Sequence, residues 1–243
     1  MTEELYLEDS FLKTCNANII EIDGGTVILD KTVFYPAGGG QECDHGYIVQ
    51  NGQEFEVHKV KKEAGKIRHY VRDAERLIPG PAEAVIDWER RENLMRHHTM
   101  LHVLAAVFHN EYGSLCTGNQ IYPEKARIDL TDITELDRDE INRIVDLANE
   151  EVKKNHPVSA RTLPREEAEA ISGAIKTVVN LIPEAVKEIR LVKIGEIDEQ
   201  ACGGTHVKGT EDIGEIVLDK TKNKGKGTTR LELRAVTKSV EAV

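Results

Sequence analysis

Three histidines and one cysteine in two short segments have the residue types and spacing of a metal site. His98 and His102 lie four residues apart in "RHHTMLHVL", and Cys202 and His206 lie four apart in "ACGGTHV". On an α-helix, residues four apart point in the same direction. Two glycines separate the second pair, and glycine lets a loop turn tightly around an ion. Imidazole and thiolate ligands in this number suit tetrahedral Zn²⁺, so the sequence predicts one zinc site per chain.

Each pair also has a plainer explanation. The two helix histidines could simply be core residues that bond to backbone carbonyls, and a Cys-x-x-x-His pair alone is no more specific for a metal. The two pairs together indicate a metal site more strongly than either pair does alone. The helix lacks the glutamate of HExxH proteases, because position 99 is Thr. Hydrolysis would therefore need a base from zinc-bound water, another side chain or the substrate. Four protein ligands also fill a tetrahedral site, so a purely structural zinc stays open.

The two segments lie in different kinds of element. The pattern around the first pair predicts a helix over 89–110, ended by Gly113. Its apolar residues run almost all round the helix, which is typical of a buried helix, so His98 faces inward. The second pair lies in "EIDEQACGGTHVKGTEDIG" (196–214), which we expect to be a polar loop between a strand and a basic hairpin.

The elements that precede the helix are short strands. The turn signals that separate them are Asp23-Gly24-Gly25, Asn51-Gly52 and Ala64-Gly65, and residues 79–88 form a last strand candidate. Such spacing indicates a small antiparallel barrel or sandwich. Beyond it, strands (125–130, 188–195) mix with helices (137–154, 164–171), and Asp137 and Glu140 resemble a capping box. We therefore predict an α+β protein with domains at 1–87 and 88–243.

The charge distribution is uneven. The net charge of −11 argues against a general nucleic-acid coat protein. Residues 220–238 nevertheless hold one acid, Glu232, against seven basic residues: Lys220, Lys222, Lys224, Lys226, Arg230, Arg234 and Lys238. This segment is either a solvated hairpin or a patch that contacts phosphates.

The remaining composition suits a cytoplasmic protein. Four cysteines lie scattered through a chain whose acidic start does not look like a signal peptide. Reduced thiols in the cytoplasm are the expected state. No apolar run is long enough to span a bilayer, so we expect no membrane partner.

A glycine motif lies in "YPAGGGQECDHG", where Gly38, Gly39 and Gly40 precede Gln41 and Asp44. Three glycines give backbone freedom and let another chain come very close. Unpaired N–H groups in such a turn can also hold an anion. The alternative is an ordinary wide hairpin.

Four motifs together resemble the editing module of alanyl-tRNA synthetases and, more closely, the medium-length free-standing AlaX proteins. They are "YPAGGGQECDHG", "WERRENLMRHHTMLHVL", "CGGTH" and "GKGTTRLELR", within residues 20 to 235. The resemblance implies a β-barrel followed by an α+β zinc-binding editing domain. It also implies a zinc-dependent deacylase for seryl-tRNA(Ala), with glycyl-tRNA(Ala) as a second substrate. We expect a zinc-bound water as the catalytic group, and from the sequence we assign no separate catalytic residue and infer no obligate protein partner.

The resemblance also assigns residues that contact the substrate. The zinc ligands are the same four residues, and the glycine motif with Gln41 helps to handle the aminoacylated end of the tRNA. Thr117, Asn119 and Gln120, in "LCTGNQIYP" (115–123), are candidates to bond the serine hydroxyl, with a simple polar turn as the alternative. Leu101 stands where many relatives have Thr.

The basic segment supplies the candidates for tRNA contact, which are Lys222, Lys224, Lys226 and Arg230. An acidic protein repels phosphate, so a tRNA substrate would need a local basic patch of this kind. Two other functions stay open: a non-catalytic, zinc-stabilised tRNA-binding module, and a deacylase of the same fold for a different misacylated tRNA.

Overall fold

The computed structural model describes residues 2–171 and 186–237. The chain divides into two compact units, Met1–Leu94 and Met95–Val243. The domain boundary at 87/88 stays a prediction.

The first unit is built around a closed barrel of antiparallel strands. In chain order its elements are β1 (Glu3–Glu4), α1 (Leu5–Glu8), β2 (Thr14–Asp23), β3 (Thr26–Leu29), β4 (Lys31–Thr32), β5 (Gly46–Gln50), β6 (Gln53–Glu63), β7 (Lys66–Val71) and β8 (Gly80–Ile86). The barrel order is β2-β3-β7-β6-β5-β8, and β8 pairs with β2 to close it. Inside, Val27, Ile48 and Val57 are completely buried. The predicted barrel is thus confirmed.

The predicted turns connect the barrel strands. Asn51 and Gly52 have φ of 54° and 75°, and Ala64 and Gly65 have φ of 50° and 76°. Positive φ at both central residues is the geometry of the two-residue hairpin turn that suits the twist of paired strands. These dipeptides therefore fix the register of β5 with β6 and of β6 with β7.

A buried ion pair ties the segment after the glycine motif to the start of α2 (Trp88–Tyr112). Asp44 and Arg91 are both 0% exposed, and Arg91 Nε lies 3.0 Å from Asp44 Oδ1. The guanidinium also donates to the carbonyl oxygens of Ser10 (2.7 Å) and Val33 (2.6 Å). Asp44 in turn accepts from the Tyr35 N–H at 2.6 Å. Both buried charges are therefore satisfied within the first unit.

The second unit contains most of α2 and two antiparallel sheets. Its other elements are β9 (Cys116–Ile121), β10 (Ala126–Thr131), α3 (Arg138–Lys153), β11 (Val158–Pro164), α4 (Arg165–Ala170), β12 (Glu188–Ile194), β13 (Asp198–Ala201), β14 (Glu215–Gly225) and β15 (Thr228–Val236). The sheet orders are β14-β15-β10-β9 and β11-β12-β13. Helices combined with antiparallel strands confirm the α+β class.

The helix predictions agree closely with the structure. Helix α2 extends the predicted range by one residue at its start and two at its end, and Gly113 follows it with φ of 67°. Every residue from 95 to 108 is buried, as the apolar pattern predicts. At the start of α3 the Asp137 carboxylate accepts from the Glu140 N–H at 2.8 Å, which confirms one half of the predicted capping box, whereas the Glu140 carboxylate accepts from Arg143 at 2.9 Å.

The predicted polar loop at 196–214 is wrong in part. Residues 198–201 form β13, which pairs with 191–194 of β12 after a turn at Gly195 (φ 47°), and Thr210–Ile213 is a 3-10 turn. Sequence patterning fails here because Asp198, the one buried residue of β13, is polar. A strand without alternating apolar residues gives no period-two signal.

No helix in the described part of the chain is both long and apolar enough to cross a membrane.

Candidate metal centre

The four predicted ligands come together in the second unit. The ligand atoms of His98, His102, Cys202 and His206 all lie within 4.8 Å of one another. Cys202 Sγ is 3.4 Å from His98 Nε2 and 3.3 Å from His206 Nε2. The three histidines are buried and the cysteine is half-buried. Such a group can hold one metal ion, and its donor set of three imidazoles and a thiol fits Zn²⁺.

Arg190 on β12 holds the loop that carries Cys202. Its Nη1 donates to the carbonyl oxygens of Cys202 (2.8 Å) and Gly204 (3.1 Å), and its own carbonyl accepts from the Cys202 N–H at 3.0 Å. The Gly204 N–H lies 3.4 Å from Cys202 Sγ. A backbone N–H that faces sulfur favours the thiolate, so the loop is shaped to hold a charged ligand.

The side chains of Asp198 and Thr99 contact the outer nitrogens of two of the histidines. Asp198 Oδ2 lies 3.0 Å from His102 Nδ1, and the Gln200 amide donates to the same oxygen at 2.8 Å. Thr99 Oγ1 lies 3.1 Å from His206 Nδ1. Sequence reasoning missed these contacts, and it noted Thr99 only as the missing protease glutamate.

Burial and the neighbouring charges tune the protonation of the cluster. Burial and then the nearby His98 lower the pKa of His206 to about 3, so its ring is neutral at pH 7. Burial alone would raise the pKa of the Cys202 thiol, but His98 and His206 beside it lower that pKa well below its usual range. Burial also opposes a charge on His102, yet contacts with Asp198 and Cys202 raise its pKa to about 9.

The third histidine of the helix, His97, has a structural role. Its Nε2 accepts from the Ala235 N–H of β15 at 3.1 Å, and its side chain is buried. The adjacent Arg96 donates to the carbonyl oxygens of Ile213 (2.8 Å) and Ala235 (3.2 Å). These two residues therefore fix α2 against β15 and against the 3-10 turn that ends at Ile213.

The glycine motif, in the first unit, forms a tight turn and not a wide hairpin. The Gly38 N–H donates to the Gln41 carbonyl at 3.1 Å, and the Gln41 N–H donates back at 2.9 Å. Between them Gly39 and Gly40 have φ of 58° and 86°. The Tyr35 hydroxyl donates to the Gly38 carbonyl at 2.9 Å, and Gln41 is buried. The turn itself is exposed, so its backbone is open to a ligand.

Residues 116–121 form β9, so the alternative of a simple polar turn at 115–123 is wrong. Thr117 is the extra residue of a bulge, because Cys116 pairs with Leu130 and Gly118 with Asp129. Asn119 and Gln120 are neighbours on the strand, so their side chains point to opposite faces of the sheet. Only one of these two can therefore share a pocket with Thr117, and their role in binding stays a prediction.

The basic segment forms the predicted hairpin of β14 and β15. Lys222, Lys224 and Lys226 are exposed, and among the described residues no carboxylate lies within 4.0 Å of their amines. Arg230 differs, because its Nε and Nη2 donate to the Asp129 carboxylate at 2.6 and 2.8 Å. Its charge is therefore offset by a partner, whereas the charges of the three lysines are not. Lys238 lies outside the described residues.

Two families match separate parts of the chain. Residues 8–90 match the family described as tRNA synthetases class II (A). Residues 189–232, which include Cys202, His206 and most of the basic hairpin, match the threonyl and alanyl tRNA synthetase second additional domain.

Whole-chain relatives are more specific. The chain is 42% identical over 234 residues to the alanyl-tRNA editing protein AlaX-M of Saccharolobus solfataricus, covering 95% of this chain and 98% of that protein. It is 39% identical over 240 residues to the protein of the same name from Methanosarcina acetivorans, with the same coverage. The alanine–tRNA ligase of Ignicoccus hospitalis is 37% identical over 244 residues, which are 99% of this chain and 26% of the ligase. The chain therefore belongs to the AlaX-M family of alanyl-tRNA editing proteins.

Proposed function

We propose that this protein is a zinc-dependent deacylase that hydrolyses the ester of mischarged tRNA(Ala), with seryl-tRNA(Ala) as the main substrate and glycyl-tRNA(Ala) as a second. The observation that carries the proposal is the convergence of His98, His102, Cys202 and His206. Its context is the similarity to proteins named for alanyl-tRNA editing. A cytoplasmic location stays a prediction from the sequence, from which no obligate protein partner is inferred.

A second checkpoint for serine is needed because binding alone separates similar amino acids poorly. A synthetase site for alanine excludes glycine and serine only weakly, since glycine is smaller and serine adds one hydroxyl. A pocket that hydrogen-bonds the serine hydroxyl leaves polar groups unpaired when alanine enters, which can discriminate by about 10⁴-fold. We expect this discrimination to come from polar side chains such as Thr117, since position 101 is Leu.

The four ligands suit a charged ion next to an ester. Zinc held by them would supply Lewis-acid chemistry to the scissile carbonyl. The Cys202 thiolate would offset part of the charge of such an ion. The bond that breaks joins the aminoacyl carbonyl to an oxygen of the terminal ribose. One water supplies the hydroxyl that the amino acid gains and the proton that the released ribose oxygen takes.

The direct test compares deacylation of Ser-, Gly- and Ala-tRNA(Ala) by purified protein, with and without a chelator. We expect hydrolysis of the seryl and glycyl esters, little hydrolysis of the alanyl ester, and loss of activity on chelation with the fold retained by circular dichroism. Loss of the fold on chelation, with no deacylation before it, would instead identify a structural zinc in a binding module. Hydrolysis of some other misacylated tRNA would change the proposed substrate but would still support the proposed ester hydrolysis.

The glycine turn gives a prediction for the first unit. Gly39→Val should lower the deacylation rate by about 10- to 100-fold through misplacement of the tRNA end, with zinc content unchanged. Valine is disfavoured at the φ of 58°, although no atom lies within 4 Å of an added Cβ. Gly52→Val is the matched control, because Gly52 has a φ of 75° and equal space in another barrel turn. Equal rates for the two variants would contradict a role in substrate handling.

The exposed lysines give a prediction about tRNA affinity. Replacing Lys222, Lys224 and Lys226 together with alanine should weaken tRNA binding and reduce the slope of log affinity against log salt by about one for each phosphate that these lysines neutralise. The control replaces three barrel lysines that already pair with carboxylates, Lys61, Lys62 and Lys66. Unchanged affinity and slope, measured by filter binding across a salt series, would show that the hairpin is solvated and that its lysines do not contact tRNA phosphates.

A further inference from the structure

We propose that Asp198 and Thr99 are positioning residues that hold His102 and His206 in the ring tautomer whose Nε2 can bind a metal. The inference rests on the proposed zinc site but not on its catalytic use. It concerns two side chains outside the ligand set, one on β13 and one on α2. Both residues are buried, so their hydrogen bonds do not compete with water.

Asp198 fixes the tautomer of His102. A carboxylate can only accept hydrogen bonds, so the 3.0 Å contact with Asp198 Oδ2 requires a proton on His102 Nδ1. In the neutral ring the lone pair is then on Nε2. The Gln200 amide donates to the same oxygen, which keeps the carboxylate oriented toward His102.

Thr99 fixes the tautomer of His206 without a charge. Its hydroxyl has one proton, and the 2.9 Å contact with the Met95 carbonyl uses it, because a carbonyl can only accept. Thr99 Oγ1 therefore accepts in its other contacts, from the Val207 N–H at 3.3 Å and from His206 Nδ1 at 3.1 Å. His206 must then have its proton on Nδ1 and its lone pair on Nε2, the atom 3.3 Å from Cys202 Sγ.

The two residues act from different segments, and this makes the arrangement specific. Thr99 follows the ligand His98 on the helix, but it orients the ligand that comes from the loop. Asp198 precedes the ligand Cys202 in the second segment, but it orients the ligand that comes from the helix. Each segment therefore supplies two of the four ligands. Each also supplies one residue that hydrogen-bonds the Nδ1 atom of a histidine ligand from the other segment. Loss of such outer hydrogen bonds typically weakens metal binding by about 10- to 100-fold.

The test measures zinc affinity of the full chain by competition with a chromophoric chelator, and the visible spectrum after cobalt substitution. Asp198→Asn and Thr99→Val should weaken zinc binding by about 10- to 100-fold and alter the cobalt spectrum. Thr99→Ser keeps the acceptor and should stay within about threefold of the unsubstituted protein. Glu199→Gln is the matched control for Asp198, because Glu199 is its neighbour and pairs with Arg161 at the surface.

The outcomes separate this inference from the proposed function. Unchanged affinity and spectra in Asp198→Asn and Thr99→Val would overturn the inference, and so would an unsubstituted protein that takes up neither zinc nor cobalt. If Thr99→Ser bound zinc as weakly as Thr99→Val does, the hydroxyl would not be what positions His206. A protein that binds zinc as expected but deacylates no tRNA would overturn the proposed function alone. Thermal melting of the metal-free variants checks that each is folded, and Thr99→Ser and Asp198→Asn keep the test decisive if Thr99→Val does not fold.

Discussion

Replacing Cys202 with alanine is expected to lower the rate of seryl-tRNA(Ala) deacylation by about 10³-fold and to reduce the zinc content of the purified protein. The substitution removes the one anionic ligand of the cluster, whose pKa is already held well below the usual range. Metal assistance at a carbonyl is worth several kcal/mol, and each 1.4 kcal/mol is a factor of about ten in rate. Single-turnover deacylation, with metal content measured on the same sample, gives both quantities.

Cys116→Ala is the control for this experiment. Cys116 is another free cysteine, but it is buried on β9 outside the cluster and its thiol faces the Gly118 carbonyl at 3.5 Å. We expect Cys116→Ala to keep its zinc and its rate. A Cys202→Ala protein that is free of metal and deacylates at the full rate would refute the proposed chemistry.

The second large effect concerns stability. Asp44→Asn should lower the free energy of unfolding by about 3–5 kcal/mol, because it leaves the Arg91 guanidinium buried without its counter-charge. For a chain of this size such a loss corresponds to a fall in Tm of between about 6 and 20 °C. Urea and thermal unfolding of the full chain, followed by circular dichroism, would measure it.

Two further variants show whether burial causes the effect. Glu42→Gln removes the carboxylate that pairs with Arg90 at 2.7 Å, but this pair is partly exposed and should be worth less than about 1 kcal/mol. The double variant Asp44→Leu with Arg91→Met removes both buried charges and should be more stable than Asp44→Asn. If the Asp44→Asn protein were no less stable than the Glu42→Gln protein, burial of the Asp44–Arg91 pair would not add to the free energy of unfolding in the way proposed.

Local signals account for the parts of the fold that the sequence predicts well. Dipeptides such as Asn51-Gly52 specify a turn through their own backbone preferences, and the apolar pattern of α2 specifies burial over most of its length. The strand β13 shows the limit of such signals. Asp198 lies at the buried position of this strand, where an apolar residue would have predicted a strand from the sequence. A hydrogen bond to the distant His102 compensates for the burial of its carboxylate.

The same distinction holds for the candidate site. The spacing of His98 with His102 and of Cys202 with His206 is local, so both ligand pairs are readable from the sequence. The supporting contacts of Thr99 and Asp198 are not, because they join residues 107 and 96 positions apart. The same limit applies to the basic segment. The sequence shows that Arg230 is charged, but it does not show that Asp129, 101 positions away, pairs with it.

The separation of the two ligand pairs along the chain has a consequence for biosynthesis. His98 and Cys202 are 104 positions apart, and ribosomes add about 5–20 residues per second. The helix histidines therefore leave the ribosome roughly 5–20 seconds before the cysteine that completes their set. Binding of a metal ion by all four residues would consequently be a late event in the synthesis of this protein, because a nascent chain that stops before residue 202 has only His98 and His102 of the set.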